Sequence, residues 1–454
     1  MNNEHKFKEY RSQYPDFIYE KFEIEPLENE YKITYFFHIP NLVTFKPTLT
    51  IKKEKDGNQI DQSYFKNLVF HIGMVELVSY FKCTCSPNVE IKAGYLNEEQ
   101  LKFFQKLYYH GLGEFLYTNG IEVEMDELMR LTCAHPEEEL PSISYQGVGN
   151  LIPVGGGKDS TVSLELLKEE KETNSCFMIN PKEVMIACAN VAGYDDNDII
   201  TVKRVIDKNL LELNKQGYLN GHTPFSAIVA FTSYLCAYLN GKKYIVLSNE
   251  ASANEATVLG TKINHQYSKT YEFENDFNEY TKKFFQIDIK YFSMLRPLSE
   301  FQIGMLFSNY KKFHPIFKSC NVGSKQKPWV WCCDCPKCLF VYSILSPFLY
   351  KEELLSIFQE DMFENESLLN TFIELLGYGK TKPFECVGTY SEVRYAISLT
   401  IQKLGKQKLP YLLEYYKKHY PLELEHDLIH AYHSIHNLEP HFETIVKKAL
   451  EPYV

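Results

Sequence analysis

With 454 residues, 24% of them charged and 44% hydrophobic, the chain has the composition of a folded protein of roughly two to four domains. Its formal charge of −11 argues against a broad nucleic-acid-binding face, which needs clustered Lys and Arg. The opening MNNEHKFKEYRSQ lacks the apolar run of a secretory signal, no window suits a membrane span, and twelve cysteines without an export signal suit a reducing cytoplasm.

Residues 31–55 alternate like strands, and residues 65–82 and 97–119 carry helical periodicity, so 1–145 reads as an N-terminal α+β domain. The proline-bearing stretch 135–144 reads as a linker. From Gln146 to residue 342, strand and helix patterns alternate, which predicts a parallel sheet covered on both faces. Leu151 to Val154 read as one strand, Val184 to Asn190 as a second and Lys243 to Ser248 as a third. The uncharged window Pro224 to Leu239 reads as a buried helix. Residues 343–454 are mainly helical in pattern, interrupted from Gly377 to Gly388. The 33 Tyr and 31 Phe are expected to fill core rather than stack on a ligand.

The most informative stretch is LIPVGGGKDSTVSLE, from Leu151 to Glu165. A strand, a glycine turn and a helix N-terminus aim unpaired N–H groups and the helix dipole at an anion. Gly155, Gly156 and Gly157 let that anion approach the backbone closely, so pyrophosphate is the natural guest, with Lys158 and Ser160 beside it. Asp159 next to a phosphate implies an intervening Mg²⁺. A Walker A loop is excluded because Lys158 is followed by Asp159 and position 152 is Ile; the dinucleotide fingerprint fails at Ile152 as well.

Ligands of parallel sheets sit at the carboxyl ends of the strands. That rule selects the glycine turn, Asn190 to Asp196 and Ser248 to Glu255. Glu250 is then placed to share the metal with Asp159, and Lys158 or Lys269 to neutralise an α-phosphate. Asn264 to Thr270 adds His265 as a candidate base, and Cys386 lies in an acid-and-thiol loop, Lys382 to Gly388.

Five cysteines fall between residues 320 and 338. Cys320, Cys332, Cys335 and Cys338 offer four thiolates to a structural Zn²⁺; Cys333, separated from Cys335 by a single residue, is the expected spectator.

The glycine turn resembles the PP-loop of ATP pyrophosphatases, whose pattern is Ser-Gly-Gly-x-Asp-Ser. It matches at Gly156, Gly157, Asp159 and Ser160 and departs at Gly155. That resemblance implies a PP-loop (adenine nucleotide alpha hydrolase-like) α/β core that cleaves ATP to AMP and pyrophosphate. The cysteine quartet, and Arg296 to Glu300 leading into a helix, are similar to the 7-cyano-7-deazaguanine synthases. Five segments together resemble a different family: GGGKDS (155–160), SNEASAN (248–254), NHQYSK (264–269), CDCPKC (333–338) and KPFECVG (382–388).

That family is the ATP-dependent UDP-N-acetylmuramoyl-L-alanyl-L-glutamate epimerases of peptidoglycan synthesis. The resemblance spans at least residues 70–390. It implies a cytoplasmic isomerase that uses ATP and Mg²⁺ to invert the terminal L-Glu of a UDP-linked muramoyl dipeptide, with no nucleic-acid or membrane partner. Cys386, His265, Glu250 and Lys269 are candidates for the acid and base, in no order. The alternatives are a PP-loop ligase or synthase adenylating another carboxylate, an RNA-thiolating enzyme and a nucleotide-sensing module.

Overall fold

The computed structural model describes residues 3–53, 60–138, 140–254, 267–379, 382–383, 385, 387–425 and 427–453. Eleven strands form one mixed sheet: β1 (Asp16–Pro26), β2 (Glu30–Ile39), β3 (Val43–Phe45), β4 (Thr48–Lys52), β5 (Asn88–Ile91), β6 (Arg130–Cys133), β7 (Asn150–Pro153), β8 (Ser175–Ile179), β9 (Ile199–Val205), β10 (Tyr244–Leu247) and β11 (Lys290–Ser293). Their order is β11-β10-β7-β8-β9-β4-β2-β1-β5-β6, with β3 on β2. The first five of these are parallel; β9 meets β4 antiparallel, as do β4 with β2 and β2 with β1. The sheet therefore runs unbroken from strands before residue 145 to strands after it.

Alternation along the parallel strands splits the interior in two. Leu151, Phe177 and Ile245 face a core shared with the N-terminal strands and the buried helix Phe225–Leu239. Ile152, Cys176 and Val246 face the other core, shared with the C-terminal helices. A strand buried on both faces reads as a continuous apolar run, and SCFMI of β8 is buried at every position.

The helices Gln62–Phe81, Glu98–Gly111 and Gly113–Asn119 stand where periodicity places them. The predicted strand at Val184 to Asn190 does not exist. That stretch is the helix Glu183–Val191, and the strands in this region are β8 and β9. Seven mostly apolar residues suit a helix as well as a strand, and periodicity over so short a run does not separate them. Pro181, just after β8, marks the real boundary. Among the described residues no helix is long and apolar enough to cross a membrane.

A bidentate ion pair fastens the two halves. Arg204 on β9 donates from Nε and a terminal nitrogen to the two carboxylate oxygens of Glu76, each at 2.8 Å, with Glu76 carried on the long helix Gln62–Phe81. Both side chains are nearly buried. Removing one partner leaves the other charge uncompensated, so Glu76→Ala is expected to lower stability by about 3 kcal/mol. Urea unfolding of the variant measures this; an unchanged midpoint would show that the pair does not fasten the halves.

Candidate active site

Strand order reverses between β7 and β10, because β7 is followed in sequence by its neighbour on one side and β10 lies on the other. The carboxyl ends of strands at such a point border a crevice where ligands of open parallel sheets bind. The segments leaving β7, β10 and β11 carry Lys158 and Asp159, Glu250, and Glu300 respectively.

The turn after β7 works as its glycines require. Gly156 has φ +82, and a Cβ there would lie 3.0 Å from the Val184 side chain, so an L side chain is excluded by conformation and crowded by its neighbour. Gly157 stands at the N-cap of the helix Lys158–Leu166 and, having no side chain, offers no capping hydrogen bond to the first-turn N–H groups. Gly155 is exposed, and a Cβ there would meet no described atom within 4 Å. Ser160 donates its hydroxyl to the Gly157 carbonyl at 3.2 Å.

Lys158 points inward and is buried. Its ammonium donates to Asp159 Oδ1 and to Glu300 Oε2. Burial disfavours its charge, but Asp159 and then Glu300 overcome that and hold it above the ordinary lysine range. Burial works against ionised Asp159 too; Lys158, then Lys337 and Lys269, prevail and keep its carboxyl low. Glu300 is left with the smaller share of positive charge. Burial, opposed by Lys158 and reinforced by Asp159 and Glu250, pushes it up to about 8. Two acids compete for one lysine, and Asp159 is the one that stays ionised.

The surroundings fix this cluster from several directions. Ser299 and Gln302 form a capping box at the start of the helix Glu300–Asn309. The Glu300 N–H donates to Glu392 at 2.8 Å, and Glu392 also accepts from the Thr389 N–H at 2.6 Å. Gly388 lies against both acids, since a Cβ there would stand 2.6 Å from Glu392 Oε2 and 3.1 Å from Glu300 Cβ. Arg296, 1% exposed, donates to the carbonyls of Glu250 at 2.9 Å and Lys269 at 2.7 Å and to Glu274 at 3.1 Å. It thereby ties together the two polar segments that follow β10.

Cys320, Cys332, Cys335 and Cys338 converge, all four sulfurs within 4.8 Å of one another. Three of the separations are 3.7, 3.7 and 3.5 Å. A tetrahedral zinc with Zn–S near 2.3 Å sets sulfurs about 3.8 Å apart, so the donor set and spacing fit that ion. Cys333 turns away to the Phe358 carbonyl at 3.1 Å. Lys337, between two of the four, is buried and feeds positive charge to Asp159 and Glu300. Among the described residues this quartet is the only group of three or more such donors. A magnesium site would thus depend on one or two carboxylates completed by phosphate oxygens, which is that ion's usual arrangement.

Of the residues the sequence singles out, the glycine turn, Lys158, Asp159, Ser160, Glu250 and Lys269 come to one edge of the sheet. Asn190 does not stand at a strand end: it is an exposed residue near the end of the helix Glu183–Val191. His265 and Cys386 lie outside the described residues. The neighbouring Glu385 accepts from Asn321 Nδ2 at 2.6 Å. Sequence reasoning misses Glu300, Lys337 and Glu392 as site residues. The signals present are the capping box at Ser299 and a lysine held between two metal-type cysteines.

This is an α/β protein with a glycine turn at the switch point of its sheet, faced by a buried lysine and several acids. Its sequence matches the MurL N-terminal domain over residues 8–294 and the MurL C-terminal domain over residues 316–427. It is 35% identical over 328 residues to the UDP-N-acetyl-alpha-D-muramoyl-L-alanyl-L-glutamate epimerase of Xanthomonas oryzae pv. oryzae, covering 71% of this chain and 72% of that protein. The protein of that name from Salinispora tropica is 35% identical over 340 residues, 73% of each chain. That from a Micromonospora species is 34% identical over 333 residues, 72% of this chain and 73% of the relative. The chain belongs to this epimerase family. No solved structure matches it.

The raised Glu300 carboxyl gives a pH signature. The folded protein keeps a proton there that the unfolded chain releases near pH 4.5, so this group's contribution to stability is complete below that pH. It is lost as pH rises toward about 8. Thermal unfolding from pH 5 to 8.5 should show the melting temperature of Glu300→Gln falling less steeply than that of the parent; parallel curves would contradict the assignment.

Proposed function

We propose that the chain inverts the glutamyl Cα of UDP-N-acetylmuramoyl-L-alanyl-L-glutamate in an ATP- and Mg²⁺-dependent reaction, by way of an acyl adenylate. The observation that carries this reading is the glycine turn with Lys158 held between Asp159 and Glu300 at the sheet's switch point, in a family whose members bear that reaction's name. In this reading the parallel strands form a PP-loop domain.

The chemistry explains the need for ATP. Removing a proton beside a free carboxylate makes a dianion. If a carboxylate oxygen attacks the α-phosphorus, the bond to the bridging oxygen breaks and pyrophosphate leaves with the electron pair. The acyl adenylate then has an ester-like carbonyl, and loss of the Cα proton gives a stabilised enolate. Return of a proton to the opposite face inverts the centre, and water cleaves the anhydride to carboxylate and AMP.

Gly156, Gly157 and Ser160 would present backbone N–H groups to the phosphates, with Lys158 balancing their charge. Asp159 and Glu250 would hold Mg²⁺, which shields the negative phosphates when bound. Proton transfer is assigned to groups from the set Cys386, His265, Glu250 and Lys269. Each positioned acid or base typically contributes about 10²–10⁴ in rate. Arg296 keeps the segments that carry Glu250 and Lys269 in register.

With ATP, Mg²⁺ and the UDP-linked dipeptide, the products should be AMP, pyrophosphate and the D-Glu epimer carrying deuterium at Cα when the solvent is D₂O. Asp159→Asn should lower AMP formation roughly a hundredfold or more with the fold retained. Release of ADP and phosphate, or inversion without solvent deuterium, would remove this mechanism.

We further propose that the four cysteines hold one structural Zn²⁺. Protein purified without added metal is expected to contain about one zinc per chain. Cys335→Ser should lose the metal and melt several degrees lower, whereas Cys333→Ser should keep it. Equal metal content in the two variants would rule out this ligand set.

A further inference from the structure

Two arginine–glutamate pairs in the interior are built differently. Arg204 closes a fork on Glu76, with Nε and Nη2 each 2.8 Å from one carboxylate oxygen. Two parallel bonds of this kind are the favoured geometry for a guanidinium and a carboxylate. Arg296 and Glu274 are buried more deeply, with side chains 1% and 2% exposed, yet they make only half of that fork. Arg296 Nη2 donates to Glu274 Oε2 at 3.1 Å, while the buried Arg296 Nε has no hydrogen-bond partner among the described residues. An unpaired buried donor costs stability, so the open fork needs a cause.

That cause lies in the irregular segment 428–439, which runs beside residues 296–302. The His433 N–H donates to the Pro297 carbonyl at 2.9 Å, and Gln302 Nε2 donates to the carbonyls of Ile429 at 2.9 Å and Ala431 at 2.6 Å. Further along, Asn437 Nδ2 donates to Glu274 Oε1 at 3.0 Å and to Asn275 Oδ1 at 2.8 Å. Asn437 therefore engages the oxygen that a closed fork would present to Arg296 Nε. With the fork open, the guanidinium serves the backbone: Nη1 donates to the Glu250 carbonyl at 2.9 Å and Nη2 to the Lys269 carbonyl at 2.7 Å.

We propose that Asn437 holds the Arg296–Glu274 pair open and is thereby a positioning residue for the two polar segments that carry Glu250 and Lys269. The catalytic part of this inference rests on the epimerase reading of those two residues; the positioning part rests on the bonds alone. Without the Asn437 amide, Glu274 turns its released oxygen to Arg296 Nε and the fork closes. The guanidinium rotates to meet it and withdraws from the two carbonyls. One buried bond replaces another, so stability holds while the places of Glu250 and Lys269 shift.

The test compares the parent with Asn437→Ala and with Asn275→Ala, which removes the other bond of the same amide. Amide hydrogen exchange over residues 248–254 and 267–270 should quicken in Asn437→Ala alone, at an unchanged melting temperature. With ATP, Mg²⁺ and the UDP-linked dipeptide, kcat for D-Glu formation should fall by up to about 10²-fold in Asn437→Ala, the loss typical of a misplacement of about 1 Å, and stay parental in Asn275→Ala. Parental exchange or parental kcat in Asn437→Ala would overturn the inference. So would equal losses in Asn275→Ala or a lowered melting temperature in Asn437→Ala, either of which would show that the amide only anchors the segment 428–439. A parent chain that forms no D-Glu would overturn the epimerase reading instead, and the exchange measurement would still decide the positioning.

Discussion

Lys158 bonds Asp159 and Glu300 while only 2% of its side chain and 1% of that of Glu300 reach solvent, and much of the structure serves to make that arrangement tolerable. A buried charge without a partner costs several kcal/mol, so the acids must be shared among cations and N–H donors. Lys337, Lys269 and the amides that meet Glu392 supply them from separate segments of chain. Because those segments lie far apart in sequence, the cluster forms only when the C-terminal helices have docked over the carboxyl edge of the sheet. The same sharing leaves Glu300 as the acid that holds a proton most readily.

Rigidity around the cluster comes from two scaffolds. Arg296 bonds two carbonyls and one carboxylate, which fixes the loops after β10 relative to the start of the helix Glu300–Asn309. The cysteine quartet does the equivalent on the other side. It brings the loop whose Lys318 N–H donates to the Gly156 carbonyl against the helix Pro336–Leu345, which carries Lys337 one residue before Cys338. A change in either scaffold would reach the charged cluster through adjoining residues, so neither belongs to the fold alone.

The N-terminal strands extend the same sheet rather than forming a separate layer, through the antiparallel pairing of β4 with β9. Their periodic patterns are clear in the sequence because one face of each amphipathic element meets water. The segment Val184 to Asn190 misleads for the opposite reason: a short apolar run pressed against a core gives no contrast between faces. Asn190 inherits that error, since its selection depends on a place after a strand that is a helix.

The sequence by itself determined the glycine turn, the four converging cysteines and the family, because each rests on residue types at fixed local spacing. Gly156 must be glycine for its backbone angle, and four thiols within nineteen residues need little help to meet. Tertiary structure alone decided that Glu300, Lys337 and Glu392 join Asp159, and that Ser319 packs against the turn. Lys158 reaches Glu300 across 142 residues of chain and Glu300 reaches Glu392 across 92, and no local pattern encodes which buried charges will share one cation. Their pairing is set by how three strand ends and two helices pack, where the cost of an unpaired charge selects the arrangement.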